Sequence, residues 1–501
     1  MKIEIFKQGV AFWQDRSRLT ILLIVPFYSF WPRYETRRAG CPLGLELIAG
    51  ELVTKGFNVV FLDACMAAYD QLTPQRSHFV RYGLTDKQLR RALADFNPDI
   101  VGITSLFSNQ HRNADQAAWL VRRSYPEAII VMGGSHATGD VDRALKNPNV
   151  DMVARQEGLI TFPELCLSVE AKISSRDSTP VKGMSYKDQS GKIIHNPDRP
   201  FITNLDRLAP RRLEIPLHPM YDTPEHTGGS RHRKTGRHAY ILSSMGCPLK
   251  CDFCHIHTMA GTIRYYGLER FEREVARLKA AGVSEVIVED DMFFADIPRA
   301  LAIAGILKKY DLAWFEEGGL SMFKFMKPGC NLTYEQILDR LAKTGCYRFY
   351  LAVESANPES LTKSRKPRIN TDAESAEKIV RHTAKVGIEA VGGFMIGFKG
   401  DNGLEESHED MKKTVAYAKR LKLAGLAYVM LFIYTAIPGT AAYKYLESVF
   451  PNLDLRTSHE RSAMPIGGYT RRLTELRWEW MREINGSAST NLAERTKNWG
   501  L

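Results

Sequence analysis

Three cysteines lie close together near the middle of the chain, and their side chains are suited to metal chemistry. The segment reads Cys247-Pro-Leu-Lys-Cys251-Asp-Phe-Cys254, a C-x-x-x-C-x-x-C spacing that directly follows a predicted strand, His238 to Met245. Three thiolates on one tight loop can hold three irons of a [4Fe–4S] cluster and leave the fourth iron open for an outside ligand. The spacing therefore predicts a cluster that does chemistry, with Phe253 shielding it from water.

These residue types also leave a zinc site open as an alternative. Three cysteines together with His255 or His257 could form a structural Cys3His site. Zinc sites more often use paired C-x-x-C knuckles, and no second pair is present among the other five of the eight cysteines. The spacing thus favours the cluster.

The composition indicates a cytoplasmic protein of two or three domains. The chain has 501 residues, 44% of them hydrophobic, which is ample for ordinary cores. No apolar run reaches the ~20 residues that span a bilayer, and the N-terminus lacks a secretory-signal layout. A thiolate-held cluster needs a reducing compartment. The formal net charge of +11 favours an anionic substrate or an acidic electron donor, and no segment resembles a nucleic-acid-binding module.

The first segment, residues 1–170, alternates apolar strands with helices. Continuous apolar strands separated by helices predict a parallel sheet covered on both faces, which is a doubly wound α/β domain. Ligands of such sheets bind beyond the carboxyl ends of the strands. The predicted strands are Thr20 to Pro26, Asn58 to Leu62, Asp99 to Ser105, Ala128 to Met132 and Asp151 to Ala154.

Small polar residues and glycines follow these strand ends, where glycine would let a ligand approach the backbone closely. Thr104-Ser105 and Gly133-Gly134-Ser135-His136 lie at two of them. With Pro42-Leu-Gly-Leu45, Phe107-Ser108-Asn-Gln110 and Gln156-Glu157-Gly158, the set resembles the cobalamin-binding domain that precedes many radical S-adenosylmethionine (SAM) enzymes. The resemblance implies cobalamin contacts at Thr104, Ser105, Ser108, Gly133, Gly134, Ser135 and Glu157.

One feature departs from this resemblance. Some cobalamin domains carry a D-x-H-x-x-G motif whose histidine ligates cobalt, and this sequence has no such match. The lower axial position is therefore not expected to be filled by that histidine. His111 and His136 are the alternatives, either as substitutes or as residues that pack within their loops.

From His238 onward a strand–helix alternation repeats six times and predicts a partial (β/α)6 barrel over residues 238–445. A linker over 171–237 would join it to the first domain, and a mostly helical segment over 446–501 would follow. Active sites of parallel barrels lie at the carboxyl ends of the strands, where the cysteine loop stands. The predicted strands are His238 to Met245, Ser284 to Glu289, Ala313 to Glu317, Arg348 to Glu354, Glu389 to Gly397 and Ala427 to Tyr434.

The cysteine spacing on this barrel resembles the radical SAM superfamily, in which the open iron binds SAM. The resemblance implies that a carboxylate after the second strand accepts hydrogen bonds from the SAM ammonium group, although helix capping would also explain an acid there. It further implies a ribose contact after the fourth strand and an adenine contact after the fifth. The SAM contacts expected on this basis are Phe253, Glu289, Asp290, Glu354, Ser355, Ile396 and Gly397.

A cobalamin domain followed by this barrel resembles the class B radical SAM methyltransferases, and its first half is similar to the phosphonate C-methylases of fosfomycin biosynthesis. The resemblance implies methylation of an unactivated carbon of a small, natural-product-like molecule, through methylcobalamin and a 5′-deoxyadenosyl radical. It also implies a flavodoxin-like electron donor. Three alternatives stay open: a cobalamin-dependent radical SAM enzyme that catalyses ring contraction or oxidative cyclisation, a zinc-stabilised binding protein, and a first domain that is a degenerate scaffold without bound corrin.

Overall fold

The computed structural model divides the chain into two compact units. The first unit comprises Met1–Thr203 and Arg207–His232, and the second comprises Asn204–Asp206 and Arg233–Leu501. No helix among the residues described is long and apolar enough to cross a bilayer. The structure describes residues 3–6, 10–13, 19–30, 32, 37, 40, 42–75, 79–215, 221, 236–320, 331–366, 373–398, 406–449 and 469–485.

The first unit is built from a nine-stranded sheet, a three-stranded sheet and helices. The strands are β1 (Ile3–Phe6), β2 (Val10–Trp13), β3 (Thr20–Val25), β4 (Tyr28–Phe30), β5 (Asn58–Asp63), β6 (Leu72–Pro74), β7 (Val80–Tyr82), β8 (Ile100–Thr104), β9 (Ile129–Gly133), β10 (Met152–Ala154), β11 (Met184–Lys187) and β12 (Ile193–His195). The helices are α1 (Leu43–Thr54), α2 (Asp86–Leu93), α3 (His111–Ser124), α4 (Ser135–Gly139), α5 (Val141–Lys146) and α6 (Gly158–Glu170).

The large sheet has the order β1-β2-β5-β3-β8-β9-β10-β11-β12, and its five central strands are parallel. Successive residues of β3 point to opposite faces, because Ile21 and Leu23 join one buried core while Leu22 and Ile24 join another. Both faces are therefore covered, and the predicted doubly wound fold is confirmed.

The sheet also has antiparallel edges that the sequence analysis does not anticipate. β1 and β2 extend one side, and β11 and β12 extend the other. β11 and β12 lie within residues 171–237, the stretch treated above as a linker. Short strands of this kind carry too few apolar residues for periodicity to reveal them. The predicted domain limits themselves stay a prediction.

The second unit contains a six-stranded sheet and a two-stranded sheet. Its strands are β13 (Arg237–Ile241), β14 (Ser244–Met245), β15 (Arg264–Tyr265), β16 (Val283–Val288), β17 (Ala313–Leu320), β18 (Cys346–Glu354), β19 (Glu389–Ile396) and β20 (Tyr428–Ile433). Its helices are α7 (Ile256–Ala260), α8 (Leu268–Ala280), α9 (Ile297–Lys309), α10 (Tyr334–Ala342), α11 (Pro358–Lys363), α12 (Ala373–Lys385), α13 (His408–Leu423), α14 (Ala441–Val449) and α15 (Tyr469–Asn485).

All neighbouring strands of the large sheet run parallel in the order β13-β16-β17-β18-β19-β20, as a six-unit partial barrel requires. The last helix, α15, packs on β20, where the Asn485 side chain bonds the backbone nitrogen and oxygen of Val429 at 3.0 and 2.9 Å. The predicted (β/α)6 barrel is confirmed. The carboxyl ends of its strands define the edge at which the cysteines lie.

Candidate active site

The cysteine loop is closed at its base by a short pair of strands. β14 and β15 pair antiparallel, with Ser244 opposite Tyr265 and Met245 opposite Arg264. Inside the loop, the Cys247 backbone N–H donates to the carbonyl of Gly261 at 3.1 Å. The loop is thus fixed at its entry and exit, and the first cysteine is placed at the carboxyl edge of the barrel.

The three thiols are a suitable donor set for an iron–sulfur cluster. Cys247 is buried, and Cys251 and Cys254 are half-buried. Burial raises the pKa of the Cys251 thiol to about 12 and that of Cys254 to about 11, while the charge of Lys366 opposes both shifts. Because the thiolate is the form that binds metal, iron must displace the proton at each site.

The three thiols lie on one loop. Within the described part of the chain, which includes Cys247, Cys251, Cys254, His255 and His257, no three His, Cys, Asp or Glu side chains gather around a point that could hold one metal ion. In a [4Fe–4S] cluster each cysteine would bind a different iron, and three thiols on one loop are a donor set that fits such a cluster.

Asp290, expected to contact the SAM ammonium group, holds the strand that leads into the cysteines. Its Oδ1 accepts the backbone N–H groups of Ser243 and Ser244 at 2.6 and 3.0 Å, and its Oδ2 accepts their hydroxyls at 2.5 and 2.7 Å. Burial raises the pKa of Asp290 although these bonds lower it. With both oxygens engaged, Asp290 serves as a positioning residue in this structure.

Glu289 is less buried than Asp290, the other acid expected to contact the SAM ammonium group. Burial, followed by the nearby charge of Asp291, raises its pKa to about 7, and a side-chain hydrogen bond with Glu317 opposes the shift. Asp291 accepts the Gly246 backbone N–H at 2.7 Å, at the start of the cysteine loop. The end of β16 thus has one carboxyl that changes protonation near neutral pH beside two that position the backbone.

Glu354, the expected ribose contact at the end of β18, forms a buried ion pair. Its Oε1 lies 2.8 Å from the Lys366 Nζ, and the two side chains are only 10% and 12% exposed. The Glu354 backbone has a φ of 65°, a left-handed value that a non-glycine residue seldom adopts. Lys366 belongs to no motif, and the sequence analysis did not identify it.

Three further expected SAM contacts are placed by packing. Ser355 is fully buried, with its hydroxyl 3.2 Å from that of Thr414. Ile396 is also fully buried, and the Gly397 N–H donates to Glu406 Oε2 at 3.0 Å. Of these three positions, the backbone of Gly397 lies at the strand end, which is where an adenine contact is expected.

Phe253 lies among aromatic rings beside the cysteines. Its ring centroid is 5.9 Å from that of Tyr434 and 6.3 Å from that of Phe398, both in edge-to-face geometry. The Tyr434 hydroxyl in turn donates to Asp252 at 3.1 Å. These rings cover one side of the loop, and the shielding role expected for Phe253 stays a prediction.

In the first unit, the expected cobalamin contacts gather at the carboxyl ends of β8 and β9. Thr104 pairs with Gly133, and the Ser105 N–H donates to the Gly133 carbonyl at 2.7 Å. Ser105 is 3% exposed, and its buried hydroxyl oxygen has no hydrogen-bond partner among the residues that the structure describes. Gly134 has a φ of 101°, and a Cβ there would lie 2.9 Å from the Ser105 carbonyl oxygen.

The buried Ser105 hydroxyl has no partner among the described residues, and Gly134 beside it leaves no room for a side chain. Both features fit a ligand that binds closely against the backbone. The exposed side chains of Leu106 and Phe107 adjoin it and offer an apolar surface of the kind that a corrin face would cover. The residues present therefore fit cobalamin at this edge, with Ser105 as the polar contact.

The remaining expected cobalamin contacts are separated. Ser108 binds two histidines: its carbonyl accepts from His111 Nδ1 at 2.7 Å, and its hydroxyl lies 3.1 Å from His136 Nδ1. The His111 and His136 rings stack at 5.1 Å. Ser135 begins α4, whereas the Glu157 carboxylate accepts the Ile202 N–H at 3.2 Å, so Glu157 already has a backbone partner.

Each of the two units contains a segment that matches a known protein family. Residues 241–418 match the radical SAM superfamily, and residues 37–166 match the B12 binding domain. The chain is 27% identical over 453 residues to the cytidylyl-2-hydroxyethylphosphonate methyltransferase of Streptomyces wedmorensis, covering 85% of this chain and 81% of that protein. The chain therefore combines a B12 binding domain with a radical SAM domain, as cobalamin-dependent radical SAM enzymes do. Its cofactors are a [4Fe–4S] cluster, SAM and cobalamin.

Solved structures share the fold of this chain. The radical SAM methyltransferase TsrM from Kitasatospora setae, determined with cobalamin and a [4Fe–4S] cluster, superposes with a TM-score of 0.63 at 17% identity, covering 87% of this chain and 75% of that one. The cobalamin-dependent SAM radical enzyme OxsB, determined with aqua-cobalamin and SAM, gives a TM-score of 0.67 at 15% identity, covering 91% and 66%.

The two strand-end edges would hold different cofactors. When bound, the cluster would supply the single electron that cleaves SAM, and cobalamin would supply the carrier for a methyl group. Among the chain's own residues, Asp290 fixes the strand before the cysteines, Phe253 packs against Tyr434 beside the cysteine loop, and Gly134 leaves space at the backbone next to the buried Ser105 hydroxyl.

Proposed function

We propose that this enzyme transfers a methyl group from SAM to an unactivated carbon of a small anionic molecule. The observation that carries the proposal is the placement of three cysteines at the carboxyl edge of a six-stranded parallel barrel, in a chain whose other unit has a cobalamin-type edge. Radical chemistry is the route by which such a cluster activates a carbon that has no acidic proton.

The side chains on the inner face of β18, β19 and β20 support the proposal of a small-molecule substrate. On β20 the side chains alternate, with Val429 and Leu431 buried on the outer side and Met430 and Phe432 half-buried on the other. Paired residues of parallel strands share a face, and Gly393 pairs with Met430. This half-buried face offers apolar contacts to a substrate inside the barrel.

Tyr350, on the same face, offers that substrate a hydrogen-bond donor. A Cβ at Gly393 would lie 1.5 Å from the Tyr350 hydroxyl oxygen, so this glycine makes the space for the phenol. Burial, followed by the charges of Glu354 and Glu316, holds the pKa of Tyr350 well above its usual range. The hydroxyl therefore stays protonated and is able to donate to an anionic oxygen.

Two arguments support a negatively charged substrate. The net charge of the chain is +11, and the relative from Streptomyces wedmorensis is named for a cytidylyl-linked phosphonate. Burial raises the pKa of Glu316 to about 8 and that of Glu289 to about 7, so near neutral pH Glu316 is mostly protonated and Glu289 is about half protonated, and both repel an anion less than ordinary carboxylates would. The positive charge also suits an acidic, flavodoxin-like electron donor, and thiolate ligands suit the reducing cytoplasm.

The proposal is tested with anaerobically reconstituted protein loaded with iron, sulfide and cobalamin. The protein is incubated with dithionite, methyl-labelled SAM and cytidylyl-2-hydroxyethylphosphonate, and separately with the neutral alcohol that lacks the phosphonate. We expect label in the anionic compound, together with 5′-deoxyadenosine and S-adenosylhomocysteine, and none in the neutral one. Substrate-dependent 5′-deoxyadenosine without label transfer would replace methylation with another radical reaction.

A Tyr350→Phe variant refines this test. Loss of one hydrogen bond to a charged group costs roughly 1.5–3 kcal/mol, which corresponds to a KM raised about tenfold or more. A KM unchanged for the anionic substrate would remove Tyr350 from the binding site.

A further inference from the structure

The Lys366–Glu354 pair lies beside the cysteine loop. Burial alone would lower the pKa of Lys366, but the charges of Glu354, Cys251 and Cys254 outweigh it and raise that pKa, so the ammonium group keeps its charge. Lys366 acts in return on the thiols of Cys251 and Cys254, whose pKa values it lowers against the effect of burial. One fixed positive charge thus stands near two of the three sulfur ligands.

Backbone contacts hold this lysine against the loop. The Asp252 N–H, between the second and third cysteines, donates to the Ser364 carbonyl at 2.9 Å. The Ser364 hydroxyl donates to the Ser360 carbonyl at 2.8 Å within α11, and the Lys366 N–H donates to the Leu361 carbonyl at 2.9 Å. The end of α11 is therefore docked on the cysteine loop two residues before Lys366.

Glu354 reaches Lys366 from a strained position. A left-handed φ on a residue with a side chain is unfavourable, and it persists where surrounding contacts hold it. At the end of β18 this conformation places the carboxylate 2.8 Å from the lysine, with both groups nearly buried. A buried pair of opposite charges acts more strongly on its neighbours than an exposed pair, because water screens it less.

We propose that Lys366 and Glu354 act as an opposed pair of charges that sets the reduction potential of the [4Fe–4S] cluster. Reduction moves one electron from an external low-potential donor to the cluster, with no bond formed or broken in the protein. The added negative charge is stabilised by Lys366 and destabilised by Glu354. Lys366 therefore raises the potential, Glu354 lowers it, and their difference fixes how readily the donor reduces the cluster.

The test measures the midpoint potential of the reconstituted, full-length protein by a dithionite titration followed by electron paramagnetic resonance. SAM and substrate are left out, so the result does not depend on the proposed methylation. For Lys366→Met we expect the equilibrium constant for one-electron reduction to fall about tenfold, a midpoint about 59 mV lower. For Glu354→Gln we expect a shift of similar size in the opposite direction, and for the double variant a return toward the wild-type value.

Two control variants separate charge from structure. Lys366→Arg keeps the charge and should leave the midpoint near the wild-type value. Lys363→Met removes a lysine at the end of α11, three residues before Lys366, that pairs with the exposed Glu359, and it should leave the midpoint unchanged. Iron and sulfide are measured in every variant, so that potentials are compared at equal cluster content.

A purely structural pair would give a different pattern. Both single variants would then lose iron or shift in the same direction, and either result overturns the proposal. Unchanged midpoints at full iron content overturn it as well. If Lys366→Met fails to hold iron, the rise predicted for Glu354→Gln still decides the question, since a fall or no change in that variant contradicts the assigned signs.

Discussion

The carboxyl ends of the strands in the two units differ in the chemical groups that they offer to a cofactor. At the cobalamin edge of the first unit, the structure offers backbone space and one buried hydroxyl, at Gly134 and Ser105. At the cysteine edge of the second unit, it offers thiols, a buried ion pair and carboxyls with raised pKa values. The first edge selects by shape, and the second binds by covalent ligation and charge.

This difference has a physical origin. A large cofactor held by many weak contacts needs room at the backbone, and small residues supply that room. A cluster carries net charge and changes it during reduction, so the groups around its ligands determine its potential. Substitutions at the two edges should therefore fail in different ways.

The largest effect is expected at the cysteine edge. Cys251→Ala removes one of three thiolate ligands, and the cluster should not assemble. We expect the iron content and the reductive cleavage of SAM both to fall to background, while cobalamin binding is retained. Cys166→Ala, a buried cysteine of the first unit, serves as the control and should keep full iron content. Normal iron loading in Cys251→Ala would contradict the assignment.

The cysteine edge should also respond to pH through Glu406. Burial raises the pKa of Glu406 from 4.5 to about 7, against hydrogen bonds from the Ser360 hydroxyl and the Gly397 and Phe398 backbone. Below about pH 4.5 the carboxyl is protonated in both the folded and unfolded states. As the pH rises to 7, the unfolded chain ionises first, and the folded state loses about 3 kcal/mol of stability.

Glu406→Gln should remove this part of the pH dependence. We expect the unfolding temperature of the wild-type protein to fall more between pH 5 and pH 8, values on either side of the shifted pKa, than that of the variant. Glu409→Gln, which removes an exposed acid from α13, provides the comparison. Parallel pH profiles for the wild-type protein and Glu406→Gln would show that Glu406 does not carry the effect.

At the cobalamin edge, the larger effect is expected from a substitution that fills the space beside Gly134. Gly134→Ala places a methyl group against the Ser105 carbonyl, in addition to the ~1–2 kcal/mol cost of a left-handed alanine. Gly191→Ala shares the backbone cost, at a φ of 82°, but meets no atom within 4 Å. Equilibrium dialysis should show cobalamin affinity at least about tenfold weaker for Gly134→Ala only. Equal affinities would reject a backbone-shaped site.

A smaller effect is expected from Ser105→Ala. Its hydroxyl has no partner in the structure, so its loss should leave the free energy of unfolding unchanged or slightly higher. Cobalamin affinity should fall about fivefold, which corresponds to one hydrogen bond of about 1 kcal/mol. A destabilised variant with unchanged cobalamin affinity would show that the hydroxyl serves the fold instead.

Features that depend on a local pattern of residues are the ones that the sequence predicts. Continuous apolar runs such as Thr20–Val25 must be buried on both sides, and this requirement predicts the doubly wound sheet. Local signals also act at helix starts: Thr85 and Gln88 form a capping box, and α2 begins at the next residue after Thr85. The cysteine spacing is local, so one loop contains the whole ligand set.

Lys366 and Glu406 lie outside any such local pattern. Each acquires its importance from a partner brought close by folding, at separations of 12 residues to Glu354 and 46 residues to Ser360. Similarly, both oxygens of Asp290 are engaged by serines 46 and 47 positions earlier. A sequence shows which carboxyls follow a strand, but only the fold shows which of them already have partners.

The most direct test of the central claim is the reductive cleavage of SAM. Protein reconstituted anaerobically with iron and sulfide is mixed with SAM and dithionite, and 5′-deoxyadenosine is measured over time with and without the reductant. We expect 5′-deoxyadenosine to form, and its formation to depend on dithionite and on all three cysteines. Protein with a full complement of iron and sulfide that forms none would contradict it.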